Sequence, residues 1–295
     1  MSFEDNFIRG LDFNKVRPRS LDTVVPSPIE LAHHQAQKLL SNPEYAIQAD
    51  TFADLYGKEN VDRDRAAVAE KRARILREQT PEMDRARRAS EVFEALVLEQ
   101  AELSNWLGRN VGILKTSTYD DYFNGSDLIA EWQDTEREPN VLALAVDVTF
   151  GARTVENKLM HIRRQVDKGE LGTIKYFRSG DGAFRGERRG VPQAVLGVSK
   201  DGVQELARLW LARDKKALAN HPVQRVIIEE LWTQLDTIHA YAEKRGQSKS
   251  AEAYRRALAV VSAIRDEKNT VPLLHFKDDR VFQEIMTQPR AIFRA

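Results

Sequence analysis

The sequence predicts an α/β protein, a mixed sheet flanked by helices with helical extensions at both ends. Three observations predict it. An amphipathic helical pattern precedes two β-type stretches, a Val-, Leu- and Ala-rich run at 141–150 reads as a buried strand, and helical and strand periods then alternate before a wholly helical C-terminus.

Residues 1–60 are broken by Pro18, Pro26, Pro28 and Pro43 and read as an N-terminal extension, with a short helix over Ile29–Leu40. His33 and His34 lie there, but adjacent helix positions do not share a face, so they are not expected to form a ligand pair. A charged helical pattern runs from Asp62 to Gln79, and Thr80-Pro81 then signals a new helix, Thr as N-cap and Pro at the first helical position. That helix is expected to reach about Leu107, carrying Phe93, Leu96, Val97, Leu103 and Leu107 as its apolar stripe, with Gly108 as terminator.

Val111–Ser117 and Ser126–Trp132 read as strands around a turn at Tyr119–Gly125. Val141–Phe150 is the strongest strand. A helix follows over Val155–Lys168, then a short strand Thr173–Phe177, a Gly- and Arg-rich loop at 178–190, a strand Ala194–Ser199 and a helix from Asp201 to about Lys216. The α/β core is thus expected over 61–220. The helical appendage spans 221–295, with stripes at Val223, Val226, Ile227, Leu231, Leu235 and Ile238, then Tyr254, Leu258 and Val261. The last thirty residues show no period. Trp210 and Trp232 read as core residues, and the C-terminal helices are a candidate homo-oligomer surface.

Composition narrows the chemistry. The chain has 295 residues, 42% hydrophobic and 31% charged, with zero formal net charge and no cysteine. Disulfides, thiolate catalysis and Cys-ligated metals are excluded. The start, MSFEDNFIRG, has neither a basic n-region nor an apolar h-region, and no window approaches ~18 uninterrupted apolar residues. A cytoplasmic protein with no membrane partner is therefore expected. Charge is uneven: residues 61–90 hold nine Arg/Lys against six Asp/Glu, and 151–190 hold ten against five.

The run LALAVDVTFG sets Asp147 inside an apolar strand, where a carboxylate is costly unless bound. Asp127, in GSDLIAEW, opens the preceding strand. Neighbouring strands lie about 4.8 Å apart, so two such acids can converge on one ion, and magnesium prefers oxygen ligands. Two plainer readings stand beside this one. Asp127 caps a Gly-Ser-Asp turn, or Asp147 pairs with Arg153 or Arg163. Tyr119, Asp120, Asp121 and Tyr122 either join the site or form a polar turn.

This order of elements, with an Asp before the hairpin's second strand and an acid on the next, resembles the restriction-endonuclease-like, or PD-(D/E)XK, nuclease superfamily over roughly 86–215. The wider chain, including YDDYFNGSDLI and KYF, is also similar to proteins of small-genome bacteria with no assigned activity. The nuclease resemblance implies Asp127 and Asp147 as ligands of magnesium or manganese, with Glu99 or Glu94 as the assisting helix glutamate. The tripeptide Asp147-Val148-Thr149 departs from acid-x-Lys. Some members carry that lysine on a neighbouring element, which makes Lys158 and Lys175 the candidates. The implied activity is a metal-dependent phosphodiesterase acting on DNA or RNA. The alternative is an inactive nuclease-fold module that binds nucleic acid or protein. Candidate phosphate contacts are Arg163, Arg164 and Lys168 on the helix, then Arg178, Arg185, Arg188 and Arg189 on the Arg-rich loop, where Phe184 could stack on a base. His161, in the same helix, reads as a surface histidine. GDGAFRG lacks dinucleotide-fingerprint spacing, and no Walker, HExxH or GxSxG sequence is present.

Overall fold

A computed structural model describes residues 26–132, 140–147, 152–273 and 279–294, with backbone alone for 140–147 and 152–153. The predicted α/β class holds. The main helices and strands are α1 (Pro28–Leu40), α2 (Lys58–Glu78), α3 (Pro81–Leu103), β1 (Val111–Lys115), β2 (Leu128–Trp132), β3 (Asn140–Asp147), α4 (Ala152–Asp167), β4 (Gly172–Arg178), β5 (Arg185–Val191), β6 (Gln193–Gly197), α5 (Lys200–Leu211), α6 (Val223–Lys244), α7 (Ser248–Glu267) and α8 (Arg280–Ile292).

Helix starts follow their local chemistry. Ser27 and Glu30 form a capping box at α1. Thr80 accepts from Met83 N at 3.2 Å, as its position before Pro81 predicts. Ser199, rather than the expected Asp201, caps α5 by accepting from Gly202 N at 3.3 Å. Helix α3 stops at Leu103, a turn before the expected Gly108.

The first sheet has the order β1-β2-β3-β6. Strands β1, β2 and β3 form an antiparallel meander, with Lys115 level with Leu128 and Leu128 level with Leu144. Strand β6 returns parallel to β3, Asp147 level with Gly197, after the α4 crossover. Strands β4 and β5 form a separate antiparallel pair. Residues 185–191, expected as loop, are therefore strand. A turn closed by Ser179 N donating to Phe184 O at 2.9 Å, with Gly182 at φ 72°, brings them back on β4. The high arginine content of β5 masked its period.

Two carboxylates tie the small sheet to the large one. Glu131 of β2 accepts from Gly180 N at 2.8 Å. Asp120, buried in a π-helical turn at Asp120–Asn124, accepts from Lys175 N at 2.7 Å and Tyr176 N at 3.1 Å.

Helix α6 supplies what the outer edge of β6 lacks. Gln234 accepts from Val195 N at 2.9 Å and donates to Val195 O at 2.7 Å, so one amide replaces a strand partner. Glu230 accepts from Gly197 N at 3.1 Å, and the Tyr254 hydroxyl of α7 bridges Gln193 N and O at 3.2 Å each. The helices from α6 onward thus share one core with the sheet, running from Ile29 to Phe293. Trp210 is buried in it and Trp232 packs against it, as expected. Helix α8 lies where no period was read. Its buried Val281, Ile285, Pro289 and Ile292 do follow helical spacing, disguised by the internal proline.

Gln234→Leu leaves a buried N–H and a buried C=O on Val195 without partners. At roughly 1–3 kcal/mol per orphaned group, a loss of about 2–6 kcal/mol is expected in urea denaturation. A loss under 0.5 kcal/mol would show that the amide does not carry the edge.

Candidate active site

Burial and charge collide where β1 ends and β2 begins. Lys115, the last residue of β1, is buried, and its Nζ lies 2.7 Å from Glu94 Oε1 of α3 and 3.0 Å from Asp121 Oδ2 of the π-helical turn. Burial disfavours the ammonium, yet Glu94, Asp121 and Asp127 together hold its pKa above the ordinary lysine value. Glu94 is buried too. Loss of water pushes its carboxyl up to about 8, with Lys115 pulling the other way and Asp127 and Asp121 adding to the rise. Asp127, immediately before β2, is raised to about 6, by burial first and then by the charge of Asp121, with which it shares a hydrogen bond; Lys158 of α4 and Lys115 oppose the shift.

Three acids and two lysines from five separate places in the chain therefore meet at one end of the sheet. The register puts Asp147, at the end of β3, at the same end of the β2–β3 pair as Asp127. Its side chain, and residues 148–150 with Thr149, lie outside the described residues, as does the Arg153 side chain. A cleft of about 430 Å³ opens over the cluster, with Arg72 and Arg87 on its walls and Glu94, Lys115, Asp121 and Tyr122 lining it.

Of the two helix glutamates, Glu94 belongs to the cluster. Glu99 accepts from the Trp210 indole at 2.8 Å and is a packing residue. Lys158 faces Asp127, but Lys175 does not reach it. Strand β4 is not in the first sheet, and Lys175 pairs with Asp64 among the rings of Tyr56, Tyr119 and Tyr176. Asp121 joins the site, while Asp120 serves the backbone of β4. Lys115 was not singled out in the sequence. The signal was available, since it closes a strand whose other residues are apolar or glycine.

The basic candidates divide. Arg163 is held by Ile292 O at 2.9 Å, the Tyr241 hydroxyl at 3.2 Å and Asp167. Arg178 donates to Glu44 O at 3.3 Å. Arg185 pairs with Asp54, and Arg189 with Glu187. Arg188 acts on Glu131. Phe184 packs on Phe177, ring centroids 5.9 Å apart. Arg164 on α4 and Lys168, in the turn just past its end, are exposed. His33 is buried against Glu91 at 2.6 Å, away from any pairing with the exposed His34. No described helix is long and apolar enough to cross a membrane.

No protein-family model, curated protein or solved structure matches this chain.

The raised carboxyls fix a pH dependence. Glu94 binds its proton more tightly folded than unfolded, so its contribution is complete below the ordinary value of 4.5 and lost as pH climbs to about 8. Asp127 behaves likewise from 3.8 to about 6. Between about pH 6 and 8 the slope belongs chiefly to Glu94, at most about 1.4 kcal/mol per pH unit. Glu94→Gln is expected to flatten that part of a stability–pH profile measured by urea denaturation. An unchanged slope would place the proton elsewhere.

Proposed function

We propose that this chain is a divalent-metal-dependent phosphodiesterase that hydrolyses nucleic acid. The observation that carries the reading is the convergence of Glu94, Asp121 and Asp127 with Lys115 and Lys158 beside the end of β3. The succession α3, three antiparallel strands, α4 and parallel β6 supports the likeness to restriction-endonuclease-like nucleases, and Lys158 stands in for the lysine that Thr149 replaces.

The donors suit a hard cation, since all are carboxylate oxygens. Glu94 and Asp127 are raised in pKa, and Asp127 shares a hydrogen bond with Asp121, so negative charge here exceeds what the lysines neutralise. Asp121 and Asp127 would hold the ion, with Asp147 as the third residue. Among the described residues no group of three or more metal-binding side chains is already arranged around one point. When bound, magnesium or manganese polarises the scissile phosphate and lowers the pKa of its water. Lys158 would then bind the phosphate oxygens, and Lys115 would keep Glu94 and Asp121 from repelling the polyanion.

The test is cleavage of plasmid, single-stranded DNA and RNA with magnesium or manganese. Asp127→Asn is expected to lower the rate at least about 100-fold and Lys158→Met by a similar factor, with fold unchanged by circular dichroism. Equal rates in wild type and Asp127→Asn would end this reading.

One observation favours the second reading, an inactive binding module. Lys115 already pairs with both Glu94 and Asp121, so the cluster can persist without an ion. Nucleic-acid or protein binding unaffected by chelator, with no cleavage of any substrate, would support it.

A further inference from the structure

We infer that a single strand of nucleic acid runs along the outer face of α4 and places one unstacked base in a second cavity beside Asp127. For the position of the cleaved bond this rests on the phosphodiesterase reading. The strand path stands on separate observations.

The cavity, about 290 Å³, lies between the π-helical turn and α4 and is lined by Phe123, Asn124, Asn157, Lys158, His161 and Gln193 among others. That volume is enough for a nucleobase, and a base paired inside a duplex would have to be extruded to enter it. Gln193 is buried, and its amide nitrogen donates to Asn124 O and Ser126 Oγ, both at 3.1 Å. Its Oε1 is buried with no hydrogen-bond partner among the described residues. An acceptor in that condition calls for a donor, and every nucleobase carries an N–H on its hydrogen-bonding edge.

The helix continues the path. Asn157, Lys158, His161, Arg164 and Lys168 recur at three- and four-residue spacing and share one face. Arg164 and Lys168 also act on His161, whose pKa is lowered by burial first and then by their charge. That shift favours the neutral imidazole, which can both donate and accept a hydrogen bond. From Lys158 to Lys168 the rise is about 15 Å, room for a few nucleotides, and the cations suit the phosphate charge.

A rival path runs along α2, where Arg72 walls the larger cleft and Arg74 lines a neighbouring one with Arg77. Fluorescence anisotropy on the full chain, with EDTA present, separates them using labelled single-stranded and duplex oligonucleotides of one sequence. Single-stranded DNA is expected to bind more tightly than duplex. Arg164→Glu/Lys168→Glu should weaken it about tenfold or more and lower the salt slope by about 1.4 for two lost contacts. Asn157→Trp, which fills the cavity mouth, should abolish the preference for single strands, whereas Asn157→Ala keeps it. Arg189→Glu and Arg74→Glu/Arg77→Glu should bind as wild type. Tighter duplex binding, or loss on reversing α2 but not α4, would overturn the inference. Binding is read without metal, so an Asp127→Asn protein that still cleaves would remove the catalytic reading and leave the strand path intact.

Discussion

Among the described residues no strand lies beside the outer edge of β6, and that constraint organises the molecule. A parallel strand returning beside β3 leaves alternate N–H and C=O groups pointing away from the sheet. Buried there without partners, they would cost more than the strand's packing returns. Gln234, Glu230 and Tyr254 satisfy these groups from α6 and α7. The C-terminal helices are thus part of what makes the sheet possible. Glu230 shows the terms of the arrangement, since burial drives its pKa well above the ordinary value and the backbone N–H of Gly197 only partly offsets this.

Asp120 does at the other end of the sheet what Gln234 does at the edge. Its carboxylate accepts from two consecutive amides of β4, from Ser117 Oγ at 2.7 Å and from Asn124 Nδ2 at 2.6 Å. A π-helical turn held this firmly fixes its neighbours. Asp121 is delivered to Lys115 on one side, and Tyr122 forms part of the wall of both cavities. π-Helical turns recur at functional sites because the extra residue per turn redirects adjacent side chains. Here that residue count sends one aspartate to the backbone and the next to the charge cluster.

The fold was legible where one period governs a segment. Thr80-Pro81, the stripe through Phe93 and Val97, and the strand ending at Trp132 each have a local cause that the structure preserves. It was illegible where local composition hid the period, as with Pro289 in α8 and the arginines of β5. The site divides on the same principle. Asp127, Glu94 and Lys158 could be proposed from element order, but Glu94 and Glu99 differ by five residues on one helix, and only packing against Lys115 or Trp210 tells them apart. Lys175 was a reasonable candidate while residues 173–177 were counted in the main sheet, and it fails because the hairpin pairs with itself. Asp120 and Asp121 carry identical local signals, so sequence cannot assign them opposite duties.

The cluster around Lys115 is a poor way to stabilise a protein. Burying the Glu94 carboxylate and the Lys115 ammonium, with Asp127 and Asp121 half-buried beside them, costs several kcal/mol per buried ion, and apolar residues of like volume are commonly as good or better. The ion pairs recover part of that cost, yet Glu94 and Asp127 keep raised pKa values, so the recovery is incomplete. Burial raises the pKa of Asp120 as well, but its carboxylate accepts four hydrogen bonds and ties the π-helical turn to β4. Glu94 and Asp121 line an open cleft beside Lys115, with Asp127 next to them. Residual electrostatic strain at the mouth of a cavity marks a site better matched by an added positive charge than by its present neighbours. That mismatch is the physical ground for proposing chemistry here rather than among the better-paired charges of the hairpin.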